Sequence, residues 1–358
     1  MEDEFFIFLP VCILAKGYSQ TAIYDTQREL IEFVPNDLYD FVIDCNKKSL
    51  NLIFNRYSGE DTIIVKEYID FLTQNEYAII GSNHDTEQIG KLSLTADNFG
   101  HITNCVCEYS EFIKTNIEKT IKILDEKLFC SAFEFVIYKS ICISELQYIA
   151  EKFINTINIF HLEFIVCYHN DYTFENIKKL LTKNLLINRI IIHSSPFDKE
   201  EIINTHTVVV FSKETVNEKS MCGKISKNYF AVNLQHIAES QQYNTCLHKK
   251  LFIDKNGNIK NCPFSETVFG NILNDDVEKI ITTPSFTQYW NIRKDEIEVC
   301  KDCEFRYICT DCRVFIKDSN NIYSQPANCH YNPYIAKWKG EDGYITVEEW
   351  LHKTNKSM

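Results

Sequence analysis

The chain has 358 residues, 45% of them hydrophobic, and a formal net charge of −13 at pH 7. That length supplies two or three domains with real cores. The acidic balance argues against a nucleic-acid partner, because phosphate binding needs clustered Lys and Arg. No apolar run reaches the roughly 18 residues of a membrane span, so no membrane partner is expected. The opening MEDEFFIFLP carries acids where a secretory signal carries basic residues, which points to the cytoplasm.

Residues 4–15 read as a buried strand and 21–34 as its hairpin partner, with the turn near Gly17 and Ser19. Asn36 and Asp37 are expected to cap the helix NDLYDFVI. Residues 66–76 place Tyr68, Phe71 and Leu72 on one helical face. Residues 1–95 are therefore expected to form a small α+β unit.

From 101 to 235 strand and helix patterns alternate. ITNCVCEY, CSAFEFVIY, FHLEFIVCY, INRIIIHS and HTVVVFS read as strands. EFIKTNIEKTIKILDEKL, ISELQYIAEKFINTI and FENIKKLLTKN read as amphipathic helices. Apolar strands between such helices imply an α/β fold, a parallel sheet covered by helices. Residues 228–241 are expected to add a strand and a short helix. Residues 101–222 contain no glycine, so this stretch lacks the residue that lets backbone approach a nucleotide closely. No P-loop, dinucleotide fingerprint or Ser-His-Asp order supports a hydrolase or nucleotide-dependent enzyme. Cys12, Cys45, Cys105, Cys107, Cys130, Cys142 and Cys167 read as small buried hydrophobes.

Seven of the fifteen cysteines lie between Cys246 and Cys329. Soft thiolates select zinc or iron–sulfur over hard cations. In a cytosolic chain, clustered cysteines read as metal ligands or catalytic groups before disulfides. The two C-x2-C pairs of Cys300, Cys303, Cys309 and Cys312 are tighter than the roughly 15–20 residues that separate the pairs of a zinc ribbon. Seven thiols suit two centres better than one. In DKNGN, Gly257 can take a positive φ and close a hairpin, with Cys246 and Cys262 on either side. His248 and His330 are read as hydrogen-bonded or exposed neighbours rather than ligands. Asp302, Glu304 and Arg306 are read as groups that set charge and hydrogen bonds around a centre. DDVEKIITTPSFTQYWNIRKDEI reads as two helical pieces broken before Pro284. Residues 300–312 are too tightly wrapped for regular structure. DGYITVEEWLHK reads as a terminal helix with Thr346 at its N-cap.

The order C-x10-G-x4-C (Cys246, Gly257, Cys262), then C-x2-C-x5-C, a further cysteine and a last one after a gap, resembles a SPASM domain. That domain is the C-terminal module of peptide-modifying radical SAM enzymes. The wording CLHKKLFIDKNGNIKNCPFS, FGNI, CKDCEFRYICTDCR and CHYNPY resembles the peptide maturase of grasp-with-spasm systems. Cys309 and Cys312 are separated by two residues where the family usually has three. The resemblance implies two auxiliary [4Fe-4S] clusters. Cys300, Cys303, Cys309 and Cys329 would hold one. Cys246, Cys262 and Cys312 would hold the other, with Cys222 as the candidate fourth ligand. It also implies a ribosomally made precursor peptide and an ATP-grasp ligase as partners.

The implied organisation is a leader-binding domain like a RiPP recognition element (1–95), a degenerate radical-SAM-like partial (β/α) barrel (96–240) and the cysteine-rich SPASM domain (241–358). No CxxxCxxC occurs, so S-adenosylmethionine is not expected as a cofactor. No catalytic residue stands out. Two other readings remain open: a redox enzyme that modifies the peptide directly at an auxiliary cluster, and a zinc-stapled interaction protein.

Overall fold

The computed structural model describes residues 3–96, 99–203, 207–217, 223 and 225–354. They fall into two units that interleave along the chain. Residues 97–223 and 246–291 form one, and residues 1–96, 224–245 and 292–358 form the other.

The first of these is mixed α/β, built on nine strands among its described residues. Their order is Lys199–Ile203, Thr207–Phe211, Ile187–His193, His161–Cys167, Ala132–Ser140, Asn104–Glu108, Lys250–Ile253, Asn258–Lys260 and Gly270–Asn271. The six from Thr207–Phe211 to Lys250–Ile253 run parallel. Side chains alternate between the two faces of a strand. Cys105, Cys107, Phe133, Phe135, Ile137 and Phe164 point to one face and share a core with helices Glu111–Lys122, Ile143–Glu151 and Phe174–Lys183.

Strand Lys250–Ile253 pairs with Asn104–Glu108, so the hairpin between Cys246 and Cys262 extends this sheet. Its turn is closed by the Gly257 amide donating to the Asp254 carbonyl at 2.9 Å. Gly257 has φ +81°, and a Cβ there would meet Phe112 Cε1 at 2.5 Å. Only glycine meets both conditions without strain.

The opposite face of the sheet carries a charged row. Val106, Glu134, Glu163, Arg189 and Val208 are register partners on successive strands. Glu134 is half-buried. Burial first, and then the Glu163 carboxylate, push its pKa up to about 7 against the pull of Arg189. A carboxyl raised in the folded state binds its proton more tightly there, so folding is favoured while it is protonated. Stability should therefore fall as pH rises from the ordinary value of 4.5 toward about 7. After discounting for residual solvent contact, the loss is on the order of 2 kcal/mol. Glu134→Gln should flatten this part of the profile and be the more stable protein at pH 8. Urea unfolding between pH 4.5 and 8 checks it; parallel profiles for the two proteins would refute it.

The second unit begins with two strands where residues 4–15 read as one. Phe5–Phe8 and Cys12–Lys16 are separated by a turn at Pro10, which has no N–H to give a ladder. Residues 21–34 likewise form two strands, Thr21–Asp25 and Leu30–Val34. With Cys12–Lys16 they make a three-stranded antiparallel sheet. This sheet is apolar on both faces. Cys12, Ile23 and Val34 pack into a core with helices Asn36–Cys45 and Glu60–Gln74. Ala15, Ala22 and Tyr24 pack on the other side against Phe305, Ile308, Cys309 and Tyr331.

Several expectations need correction. Asn36 is the first residue of its helix, not the cap. Its side-chain Nδ2 donates to the carbonyls of Gly17 and Tyr18 at 3.2 and 3.1 Å, tying the hairpin turn. The next long helix starts at Glu60, after Gly59 at φ +60°, rather than near 66. Residues 228–241 fall across a 3-10 turn, Lys227–Tyr229, and helix Leu234–Gln242, without the expected strand. Lys199–Ile203 is an antiparallel edge strand that the sequence pattern concealed. Cys142 and Cys167 are only half-buried, whereas Cys12, Cys45, Cys105, Cys107 and Cys130 are buried. The two helical pieces around Pro284 occur as Val277–Ile281 and Pro284–Thr287. The last helix, Val347–Thr354, follows Thr346, whose hydroxyl accepts from the Glu349 amide at 3.2 Å. Among the described residues no helix is long and apolar enough to cross a membrane.

Candidate metal centre

The second unit brings four thiols to one cavity. Cys300 opens a single 3-10 turn, Cys300–Asp302, and the Cys303 amide closes it by donating to the Cys300 carbonyl at 3.0 Å. The preceding Val299 has φ +67°, a conformation costly for a β-branched residue. That reversal sets the direction in which the turn leaves. The Phe305 amide points at Cys303 Sγ at 3.4 Å, and the Cys309 amide donates to the Phe305 carbonyl at 3.1 Å. Cys329 follows a turn in which its amide donates to the Pro326 carbonyl at 3.2 Å.

Cys300, Cys303, Cys309 and Cys329 line one cavity together with Lys294 and Arg306. Burial pushes the Cys300 thiol up to about 12, against the pull of Lys294. Burial raises Cys303 and Cys309 as well. Thiols raised in this way ionise together only beside a compensating cation, and a coordinating metal deprotonates a thiol outright. Among the described residues, no three His, Cys, Asp or Glu side chains meet closely enough to hold a single metal ion. The four thiols line one cavity, and an all-thiolate donor set suits an iron–sulfur cluster or zinc.

The surroundings are tied to the N-terminal hairpin. Glu304, next to Cys303, is fully buried. Its Oε1 accepts from Tyr331 Oη at 2.5 Å and Gln20 Nε2 at 2.6 Å, and its backbone carbonyl accepts from Tyr24 Oη. Burial raises the Glu304 pKa, while the Tyr331 and Gln20 hydrogen bonds oppose the rise. A Cβ on Gly17 would lie 2.9 Å from both the Glu304 amide and Oε2, so glycine permits this close approach. Arg306 donates to Asp295 at 2.9 Å and to the carbonyls of Lys16 and Cys303 at 2.8 and 2.9 Å. Asp302 accepts from Tyr334 Oη at 2.9 Å.

Two groups beside the thiols escaped sequence reasoning. Lys294 is buried at 5% exposure, and its Nζ lies 3.0 Å from Cys309 Sγ. Burial alone would lower its pKa, but the Cys309 and Cys300 sulfurs and Asp311 more than reverse this. Asp311 and Arg313 form a buried ion pair at 2.6 Å, and Asn244 donates to the same carboxylate at 2.7 Å. A lysine inside a charged run, NIRKDEIEVC, gives no periodic signal that it faces inward.

The other anticipated ligands fall in both units. Cys312 lies in the second unit, buried, and its Sγ accepts from the Phe315 amide at 3.4 Å. Cys246 and Cys262 lie in the first unit, the former half-buried and the latter buried. Cys222 lies outside the described residues. His248 is buried edge-on to Trp290, with ring centres 5.5 Å apart, and His330 is exposed.

Residues 245–304 match the SPASM family, an iron–sulfur cluster-binding domain. The matched stretch contains Cys246, Cys262, Cys300 and Cys303. No curated protein matches the sequence. Two crystal structures of Streptococcus suis SuiB are among the similar solved structures, one bound to the precursor peptide SuiA and one bound to S-adenosylmethionine. Each is 11% identical, with a TM-score of 0.29 over 90% of this chain. The matches cover 98% and 99% of the SuiB chains respectively.

Proposed function

We propose that this chain is a cytoplasmic maturation protein for a ribosomally made peptide. In this reading it binds the precursor through its N-terminal region, carries two [4Fe-4S] clusters and works beside an ATP-grasp ligase. The observation that carries the reading is the single cavity lined by Cys300, Cys303, Cys309 and Cys329, next to a sequence match to an iron–sulfur domain. These four residues would hold one cluster, and Cys246 and Cys262 would give thiolates to a second. Such clusters, when bound, supply one-electron transfer or hold a fold together. The chain's own groups do the rest: burial excludes water, while Lys294, Arg306 and the Glu304 hydrogen bonds fix charge and orientation around the thiols.

For the peptide, the antiparallel sheet offers an edge. Among the described residues no strand pairs with the outer side of Leu30–Val34, and Leu30 and Phe33 on it are exposed. Main-chain hydrogen bonds to such an edge give affinity, and side chains give selectivity. Sequence lacks the CxxxCxxC of an S-adenosylmethionine cluster, so the clusters would serve presentation or electron transfer rather than radical generation.

Fluorescence anisotropy with a labelled leader segment of a ribosomal precursor peptide tests this reading. Saturable binding is expected, weakened at least about tenfold, or ~1.4 kcal/mol, by Ile31→Pro, which removes an N–H from the edge strand. Absence of binding by the parent protein, or formation of 5′-deoxyadenosine from S-adenosylmethionine by the reduced protein, would overturn it.

A further inference from the structure

We propose that Lys294 is the fixed positive charge that sets the reduction potential of the cluster held by Cys300, Cys303, Cys309 and Cys329. The inference rests on the cluster reading above and goes beyond it. Lysine is almost never fully buried unless paired. Lys294 is 5% exposed, and the only hydrogen-bond acceptor its Nζ meets among the described residues is Cys309 Sγ at 3.0 Å. Taking an ammonium out of water costs several kcal/mol, and four neutral thiols would not offset that.

The other charges nearby are already matched. Arg313 and Asn244 hold the Asp311 carboxylate at 2.6 and 2.7 Å. Arg306 turns its guanidinium to Asp295 at 2.9 Å and to two backbone carbonyls. Lys294 is thus the cation without a carboxylate of its own, directed at the sulfur of a ligand.

Adding one electron, from a low-potential donor such as dithionite, makes a thiolate-held cluster one charge more negative. No bond to Lys294 forms or breaks. A fixed cation beside the sulfur stabilises the reduced form more than the oxidised form and so raises the potential. Lys294 is a positioning and tuning group here, not a catalytic residue.

The test is an anaerobic redox titration of the full chain, followed by electron paramagnetic resonance. This cluster's signal is identified as the one lost in Cys303→Ala protein. Lys294→Gln keeps an N–H donor and removes the charge, while Lys294→Arg keeps the charge. At the parent midpoint, Lys294→Gln should shift the oxidised-to-reduced ratio about tenfold toward oxidised, ~59 mV for a one-electron couple. Lys294→Arg should stay close to the parent. Lys294→Met is the second charge-free variant, used in the same way if Lys294→Gln does not fold. An unchanged midpoint in a charge-free variant that retains its cluster overturns the proposal. So does selective loss of this cluster from a folded charge-free variant, which would assign Lys294 to holding the cluster rather than tuning it. Iron-free parent protein would instead remove the underlying cluster reading, and this inference with it.

Discussion

Cys303→Ala protein should carry about four irons and four sulfides fewer than the parent, since removal of one thiolate opens a four-cysteine site. Cys303 is one of four thiols on a single cavity, and burial raises the pKa of the sulfurs beside it, Cys300 and Cys309, unless a metal takes their protons. Without the fourth ligand the remaining three lose much of that stabilisation. Metal-binding free energy at such a site is also folding free energy, so the variant should melt several degrees lower, as a change of a few kcal/mol does in a chain of this size. Cys105→Ala is the control. Cys105 is buried in the core of the large sheet among Ile and Phe side chains, and its loss should leave iron unchanged. Iron and sulfide assay with a thermal melt checks both. Full iron in the Cys303→Ala protein would show that this cavity does not hold the cluster.

The second large effect is expected from Asp311, which sits between Cys309 and Cys312. Its side chain and that of Arg313 are 2% and 0% exposed, with 2.6 Å between charged atoms. Arg313 also donates to the carbonyls of Ile322 and Ser324 at 2.9 Å, so it pins the loop that leads to Cys329. Asp311→Ala leaves the guanidinium buried beside two carbonyls, with no carboxylate. Breaking one partner of such a pair costs about 3–5 kcal/mol. Replacing both, as in Asp311→Leu with Arg313→Met, should recover much of the loss, because no charge is then stranded. Urea unfolding of the three proteins measures the difference; a loss below about 1 kcal/mol in Asp311→Ala would place the pair among weak surface-like bridges.

Much of the sheet was legible because its strands and helices differ in period. Cys105 and Cys107, Phe133 and Phe135, and Phe164 and Val166 alternate inward and share one core, and the helices between them carry apolar residues at helical spacing. The hairpin turns at 17–20 and 254–258 were legible from Gly17 and Gly257. The edge strand Lys199–Ile203 was not, since KEEII carries charges of the kind that protect an edge from pairing with another chain. Period also conceals what lies beyond the nearest neighbours. Ala15, Ala22 and Tyr24 look like the solvent side of a small sheet, yet they pack on Phe305, Cys309 and Tyr331. The hydroxyl of Tyr24 reaches the carbonyl of Glu304, 280 positions along the chain. Spacing grouped the cysteines, and the resemblance divided them between two clusters. Neither could show that Lys294 turns inward, because its neighbours Arg293 and Asp295 are ordinary surface charges in sequence and the inward pull comes from sulfurs brought up by the fold.

Iron, acid-labile sulfide and zinc content of the anaerobically purified chain, read with its visible spectrum, tests the central claim most directly. Two four-iron clusters predict about eight irons, about eight sulfides and a broad brown absorbance. About two zinc ions per chain, no iron and no colour would contradict the account and make the cysteines a structural staple.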